Sequence, residues 1–310
     1  MRKKILIAID ASIHSRHALD YALQLSATIK KIDFVLFHVQ PMISLFLVEE
    51  AMRRSKARQE LDRLYANNRK FSITLLEDCK ARLIKNGIPA DSIETKTIPR
   101  IDGIAEDVVA FAEAGSYDAI LMGRRGIGGL QELLMGSVTA NVLANSQVTP
   151  VWIVDGPVKK ENVLIAVDGS SKCLRAVDHV SFIFSGNRDV RLHFVNLTPR
   201  LKDMCEIDIS TLKTAELEKA LLVSNEKSIA DFSSIALGIL RKAGFEDDQI
   251  VIRSERKKLF TGKALLEIAK NEKFGTIVIA KTGAGQSRHL GKVASHVIQK
   301  MSNGAIWVVP

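Results

Sequence analysis

The chain has 310 residues, enough for two domains of ordinary size, and its 46% hydrophobic and 25% charged residues are typical of a globular protein rather than a disordered one. No apolar stretch reaches the ~18 residues that span a bilayer, and basic residues 2–4 lead into a core strand rather than a signal peptide. We therefore expect a cytoplasmic protein with no membrane partner. The formal charge of +9 comes with only 5% aromatic residues and no aromatic interleaving, so it does not predict a nucleic-acid partner.

The cysteines and histidines form no recognisable metal or catalytic pattern. Cys79, Cys173 and Cys205 are odd in number and widely spaced, which favours free thiols over a disulfide framework or a zinc site. His14 and His17 lie on the first predicted helix, where histidines are usually solvated. We therefore expect no catalytic residues and no metal ligands.

In chain order, the first half alternates short β-branched runs with longer amphipathic segments. The runs predict strands near 4–9, 33–39, 93–98, 118–122 and 150–154, and the segments predict helices near 15–30, 50–86, 103–115 and 137–146. Nearly continuous apolar strands separated by helices indicate a parallel sheet covered on both faces.

The second half repeats the first in the same order. Residues 4–10, 34–39, 118–123 and 150–154 return as 162–168, 191–195, 275–280 and 305–309. The chain is therefore predicted to be α/β, with two tandem doubly wound five-stranded parallel-sheet domains of the flavodoxin or Rossmann kind, residues 1–155 and 156–310. The polar segment 155–161 is the predicted linker. The apolar final strands of the two halves are expected to pair about a pseudo-twofold axis, because an exposed apolar edge is ordinarily covered.

A glycine motif follows the fourth strand of the first half. Gly123-Arg-Arg-Gly126 is followed after nine residues by Gly136-Ser137, which opens the next helix. Glycines let a ligand approach the backbone closely, and the free N–H groups of a helix N-terminus favour phosphate oxygens. The motif predicts a phosphate site, and an ordinary glycine-rich connection is the alternative.

Two other segments end at the same predicted edge of the sheet. Asp10 follows the first strand, and Val39 ends the second. In doubly wound sheets ligands bind beyond the carboxyl ends of the strands, so these residues and the Gly123 loop converge on one predicted crevice. The alternatives are that Asp10 caps the following helix, and that Val39 and Met122 are core residues.

The strand ends at Asp10 and Val39, the block 118–126 and the turn 136–139 together resemble the universal stress protein family in its tandem form. The resemblance covers nearly the whole chain. It implies an open five-stranded parallel sheet, dimerisation and, in the ATP-binding members, adenine near the ends of the first two strands. For this chain it implies ATP, with magnesium as its companion ion, and a pseudo-dimer of the two halves, with a homodimer as an alternative.

The resemblance also assigns roles to individual residues. Asp10 and Val39 would contact adenosine, with Ala8 forming a wall of the base pocket. The ribose and phosphate path would be lined by Met122, Gly123 and Gly126, and the phosphates would be held by Gly136, Ser137, Val138 and Thr139.

The second half departs from this motif. Ala280 replaces the first glycine, Gly291 follows Gly283 after only seven residues, and Lys292 stands where the first half has Ser137. We expect nucleotide binding there to be weaker, altered or absent. The alternative is that Lys281 or Lys292 holds an anion as a point charge.

The favoured hypothesis is therefore a cytoplasmic ATP-binding stress-response or regulatory protein, with little or no hydrolysis and an unidentified protein partner. One alternative is an enzyme acting on an adenine nucleotide. The related ATP-adenylating enzymes would carry a glycine-rich loop directly after the first strand, and residues 10–15 contain no glycine. The other alternative is a scaffold with a vestigial pocket.

Overall fold

The computed structural model describes residues 2–126, 135–158, 162–198, 200–201, 214–256, 260–282 and 290–310. The elements of the first half are β1 (Lys3–Ala8), α1 (Ile13–Thr28), β2 (Ile32–Val39), α2 (Leu45–Met52), α3 (Ser55–Lys85), β3 (Ile93–Ile98), α4 (Ile104–Ala114), β4 (Ala119–Gly123), α5 (Ser137–Asn145) and β5 (Val151–Asp155). Those described in the second half are β6 (Val163–Val167), α6 (Ser171–Ile183), β7 (Leu192–Thr198), α7 (Ala215–Lys242), β8 (Ile250–Arg256), α8 (Thr261–Asn271), β9 (Thr276–Ala280), α9 (Lys292–Lys300) and β10 (Gly304–Val309).

The five strands predicted in the first half are present, each within one residue of its predicted bounds. The single helix predicted over 50–86 is wrong. The chain forms two helices there, α2 and α3, which pack against each other and are separated at Arg53 and Arg54. Arg54 is extended, with φ −136° and ψ 119°. No glycine or proline marks this break, so local helix propensity does not explain it. Ala51 before the break and Leu61 after it are both buried, which indicates that tertiary packing determines where the helix ends.

The strands form one ten-stranded sheet in the order β3-β2-β1-β4-β5-β10-β9-β6-β7-β8. Within each half all neighbouring strands are parallel. The order in which the strands are added to the sheet reverses between β1 and β4 in the first half and between β6 and β9 in the second. The predicted α/β class and the two doubly wound five-stranded halves are confirmed. The crevice beyond the carboxyl ends of β1 and β4 is the position where such sheets hold their ligands.

The two halves meet through their last strands, as predicted. β5 and β10 pair antiparallel, with Trp152 directly opposite Trp307. Their indole rings stack 3.9 Å apart, and each indole N–H bonds to the opposite half: Trp307 donates to the Tyr21 hydroxyl and Trp152 to Nε2 of His179, both at 3.0 Å. This pseudo-twofold contact buries the apolar edges that each half would otherwise expose.

Apolar side chains cover both faces of this sheet. On one face, Phe34 and Leu36 belong to a cluster that also contains both tryptophans. On the other face, Val35 and Phe37 belong to a second cluster under α4 and α5. The alternation along β2 explains why nearly every residue of that strand is apolar.

Candidate functional site

A cavity of about 110 Å³ lies at the carboxyl ends of β1, β2 and β4. Eight of the ten residues that the sequence assigned to a nucleotide site line it: Ala8, Asp10, Val39, Met122, Gly123, Gly126, Val138 and Thr139. The remaining two, Gly136 and Ser137, lie at the start of α5, beside this lining. The structure therefore brings four separate segments of the first half to one place.

The sequence analysis missed four apolar side chains that also line the cavity: Ile9, Phe37, Ile104 and Val108. Ile104 and Val108 lie one turn apart on α4, which begins after Gly103. Their i, i+4 spacing on a helix packed over the sheet was the available signal. Together with Ala8, Val39 and Met122 they make the inner wall apolar, as a ring-shaped ligand group requires.

Asp10 uses its two carboxylate oxygens differently. Oδ1 accepts hydrogen bonds from the Ser12 N–H at 3.0 Å and from the hydroxyls of Ser12 and Ser15 at 2.5 and 2.6 Å. The cap of α1 is Ser12, whose hydroxyl accepts from the Ser15 N–H, so Asp10 supports the turn without being the cap. Oδ2 faces Gly126, where an added Cβ would lie only 2.7 Å away. The turn therefore fixes one oxygen and directs the other towards the glycine loop.

The glycines of the motif have different local roles. A Cβ on Gly123 would lie 2.7 Å from the backbone carbon and oxygen of His14, so this glycine lets α1 pack directly on the end of β4. A Cβ on Gly136 would lie 3.2 Å from Cα of Arg125, a contact that a small shift relieves. Gly126 is the position at which a side chain would enter the cavity.

The start of α5 is joined to the glycine loop. The Gly136 N–H donates to the Arg124 carbonyl at 3.0 Å, and the Thr139 hydroxyl donates to the Gly123 carbonyl at 3.1 Å. The first intrahelical bond runs from the Ala140 N–H to the Gly136 carbonyl. The N–H groups of residues 137–139 precede that bond, and they form the donor set that favours an anion at a helix N-terminus.

Comparison with known proteins agrees with this architecture. The model of the universal stress protein family matches twice, over residues 1–155 and 160–310. The chain belongs to the universal stress protein family. A curated relative, universal stress protein YxiE of Bacillus subtilis, is 28% identical over 162 residues, which are 50% of this chain and 99% of that protein. Universal stress protein MJ0577 of Methanocaldococcus jannaschii is 30% identical over 162 residues, or 50% of this chain and 95% of that protein.

Among solved structures, a universal stress protein from Archaeoglobus fulgidus matches 99% of this chain and 97% of its own, with a TM-score of 0.63 and 19% identity. That likeness supports the fold of the whole tandem chain. This universal stress protein has, among its described residues, no helix long and apolar enough to cross a membrane. The same residues include no group of three His, Cys, Asp or Glu side chains placed to hold a metal ion.

The two arginines between Gly123 and Gly126 diverge. Arg124 is 3% exposed and turns away from the cavity into the contact between the halves, where its guanidinium donates to the carbonyls of Met301 and Gln299 at the end of α9. It also pairs with Asp155 at 3.1 Å. Arg125 lines the cavity and lies 3.5 Å from the same Asp155 carboxylate. The motif of this universal stress protein thus contacts both the cavity and the other half.

The expectation that His14 and His17 are solvated is wrong. Both are half-buried, because α1 packs on the end of β4. Their rings lie 6.1 Å apart, edge to face. Burial lowers the pKa of the His14 imidazole, and the positive charge of Arg125 lowers it further.

In the second repeat, Lys281 does not hold an anion, contrary to the alternative raised from the sequence. It is 4% exposed, and its ammonium donates to the carbonyls of Ala144 and Ser146, at 3.1 and 2.8 Å, at the end of α5. Lys281 is therefore the pseudo-symmetric counterpart of Arg124, and it caps a helix of the first half. Lys292 begins α9 and is exposed, whereas Gly283 lies outside the described residues.

The environment of Asp168 also differs from that of Asp10. Oδ1 of Asp168 accepts from the Ser170 N–H at 2.9 Å and from the thiol of Cys173 at 3.1 Å, so a thiol occupies the position of the Ser15 hydroxyl. Burial raises the pKa of that thiol to about 12. Helix α7 lies close to this turn: a Cβ added to Gly169 would be 3.1 Å from Cβ of Ser228 on that helix. The two repeats therefore present different surfaces at equivalent strand ends.

Proposed function

We propose that this chain is a cytoplasmic regulatory protein of the stress response whose first domain, residues 1–155, binds an adenine nucleotide, ATP with magnesium. The observation that carries the proposal is the cavity at the switch point between β1 and β4. Residues from four segments, each at a strand end or a helix start, line it together. Membership of the universal stress protein family supports the same assignment.

The chemistry of the walls suits the parts of a nucleotide. Ala8, Val39 and Met122 offer an apolar slot for the adenine ring. Asp10 Oδ2 would accept a hydrogen bond from a ribose hydroxyl, since Oδ1 is already occupied by the β1–α1 turn. Gly126 leaves the approach open beside that oxygen.

The phosphates would lie at the start of α5. The N–H groups of Ser137, Val138 and Thr139 supply donors that need no side-chain charge, and the exposed Ser137 hydroxyl adds one more. The Thr139 hydroxyl is used internally, because it donates to Gly123, so Thr139 would contribute its backbone N–H. Magnesium would be bound by the phosphate oxygens, as is usual for this ion.

We propose a division of labour between the domains. Residues 156–310 would serve regulation or partner binding rather than nucleotide binding. Three observations support this role: Ala280 replaces the first glycine, Lys281 caps α5 across the contact between the halves, and α7 lies against the Gly169 turn. Since Arg124 makes the reciprocal contact, a nucleotide on the Gly123 loop would be adjacent to the joint between the domains.

Isothermal titration of the full chain with ATP and magnesium tests this proposal. We expect one ATP per chain, with binding lost in Asp10→Ala and retained in Asp168→Ala. The two variants are matched, since each removes a carboxylate that supports a strand-to-helix turn. Gly136→Val should weaken binding by at least ~2 kcal/mol, about 30-fold in Kd. Two equivalent sites per chain would refute the division of labour.

Product analysis during the same experiment separates the alternatives. A regulatory protein would return ATP unchanged over many hours, whereas steady turnover to a defined product would favour an enzyme acting on an adenine nucleotide. A scaffold with a vestigial pocket would show no heat of binding and no change in Tm with ATP.

A further inference from the structure

Helix α2 presents apolar side chains to solvent instead of to the core. Leu45, Phe46 and Met52 are 74%, 72% and 69% exposed, and Met42, just before the helix, is 57% exposed. The only buried residue of the helix is Ala51, on the side that packs against α3. A cluster of large exposed apolar residues on one short helix marks an interaction surface rather than ordinary surface variation.

A basic segment follows this helix directly. Residues 53–58 contain Arg53, Arg54, Lys56 and Arg58 and no acidic residue, and all four side chains are exposed. Arg53 pairs with Glu50 at 2.9 Å, which neutralises one acid of α2. Over residues 42–58, four basic side chains stand against two acidic ones, so this stretch has a net charge of +2, and Glu60 and Asp62 follow it on α3.

We propose, against the sequence expectation of no membrane partner, that α2 and the segment 53–58 dock this protein peripherally on an anionic lipid surface. A helix of eight residues is too short to span a bilayer, but its apolar face can lie at the boundary between headgroups and acyl chains. Stable attachment of that kind takes two signals, and here an apolar face and a basic cluster are adjacent. The charge complementarity favours an anionic bilayer over a second copy of the chain, which would bring the same positive segment.

Vesicle co-sedimentation of the full-length chain tests the apolar part. The protein should pellet with phosphatidylcholine vesicles that contain about 30% phosphatidylserine at least ~10-fold more than with pure phosphatidylcholine, and less at high salt. The double variant Leu45→Gln, Phe46→Gln should lower this binding at least ~10-fold. The matched control is Leu217→Gln, Val223→Gln on α7, where both residues are also exposed, at 61% and 59%, and it should bind like the natural chain.

A second pair of variants tests the basic part. Arg54→Gln, Lys56→Gln, Arg58→Gln removes three positive charges from the segment and should reduce binding about 100-fold. The exposed α7 residues Lys219, Lys227 and Lys242, changed to glutamine, remove the same charge elsewhere and should have a much smaller effect.

Several results would overturn the proposal. These are failure to pellet with anionic vesicles, equal loss in the control variants, or equal binding to pure phosphatidylcholine. A concentration-dependent dimer in sedimentation velocity that disappears in Leu45→Gln, Phe46→Gln would assign the face to a second copy instead. Circular dichroism melting checks the fold of each variant, and Met52→Gln replaces the double variant if that one melts early.

Discussion

Replacing Gly126 by alanine is expected to weaken ATP binding without destabilising the fold. The new Cβ would lie 2.7 Å from Asp10 Oδ2, and among the described residues its next contact outside its chain neighbours is Cγ of the same carboxylate, at 3.9 Å. The carboxylate would have to move by about 0.5 Å to restore van der Waals contact. It is held by the Ser12 and Ser15 hydroxyls, so the shift would disturb the oxygen that we assign to the ribose.

The size of the expected loss in ATP affinity follows from the hydrogen bond that we assign to Asp10 Oδ2 and a ribose hydroxyl. A hydrogen bond to a charged acceptor contributes about 1.5–3 kcal/mol, and a displaced carboxylate would lose part of it. We therefore expect about 1.5 kcal/mol, which is roughly a tenfold rise in the Kd for ATP. The free energy of unfolding should be almost unchanged, because Gly126 has no positive φ that alanine would resist.

The matched control is Gly123→Ala, the same substitution three residues earlier. There the Cβ would lie 2.7 Å from the C, Cβ and O atoms of His14, and these cannot move without shifting α1. Overpacking of this kind costs about 1–3 kcal/mol of folding free energy. Gly123→Ala should therefore lower the urea midpoint, whereas Gly126→Ala should not.

Isothermal titration with ATP and urea unfolding of both variants provide the two readouts. The reasoning fails if Gly126→Ala binds ATP within twofold of the natural chain while remaining folded. It also fails if Gly126→Ala is as unstable as Gly123→Ala, since the loop would then be a packing element rather than a ligand contact.

Three further predictions concern the contact between the halves. Burial lowers the pKa of His179 to about 3, so between pH 6.5 and 3 the unfolded chain binds the proton and the folded chain does not. The free energy of unfolding should therefore fall by about 1.4 kcal/mol per pH unit of acidification because of this group. In His179→Gln, the free energy of unfolding measured with urea should depend less steeply on pH. Arg124→Met leaves Asp155 with Arg125 as its remaining cationic partner and leaves the Gln299 and Met301 carbonyls without their donor, so it should cost about 1–3 kcal/mol of unfolding free energy, whereas a loss below ~0.5 kcal/mol would contradict its role at the joint. Residues 1–156 alone expose β5 and Trp152 and should dimerise in sedimentation velocity, whereas a monomer at high concentration would count against the pairing.

The fold was readable from the sequence because its signals are local. Four strands of the first half are short apolar runs, and β3 has two isoleucines and two threonines, which are β-branched. The repeat of 4–10 at 162–168 extends the same pattern to the second half. The glycine motif and the strand-end Asp10 were also readable, because in doubly wound sheets the carboxyl ends of the strands meet at one edge. The sequence by itself therefore placed the residues of the candidate site together.

Other features depend on which elements meet in space. Nothing in the local sequence distinguishes Arg124 from Arg125, yet one contacts α9 of the other half and the other lines the cavity. The sequence offers Lys281 as one alternative anion ligand, whereas its ammonium donates to the carbonyls of Ala144 and Ser146 at the end of α5. Side-chain direction in a loop is set by long-range contacts, which sequence spacing does not encode.

The exposed helix α2 shows the same limit. An apolar run is normally taken as core, and residues 45–52 give no local sign that they lack a covering partner. The break at Arg53 and Arg54 arises because α2 folds back on α3, and that packing buries Ala51 while leaving Leu45 and Phe46 in solvent. The sequence determined which segments are apolar, and the tertiary structure decided which of their faces are buried, because burial depends on neighbours that are distant along the chain.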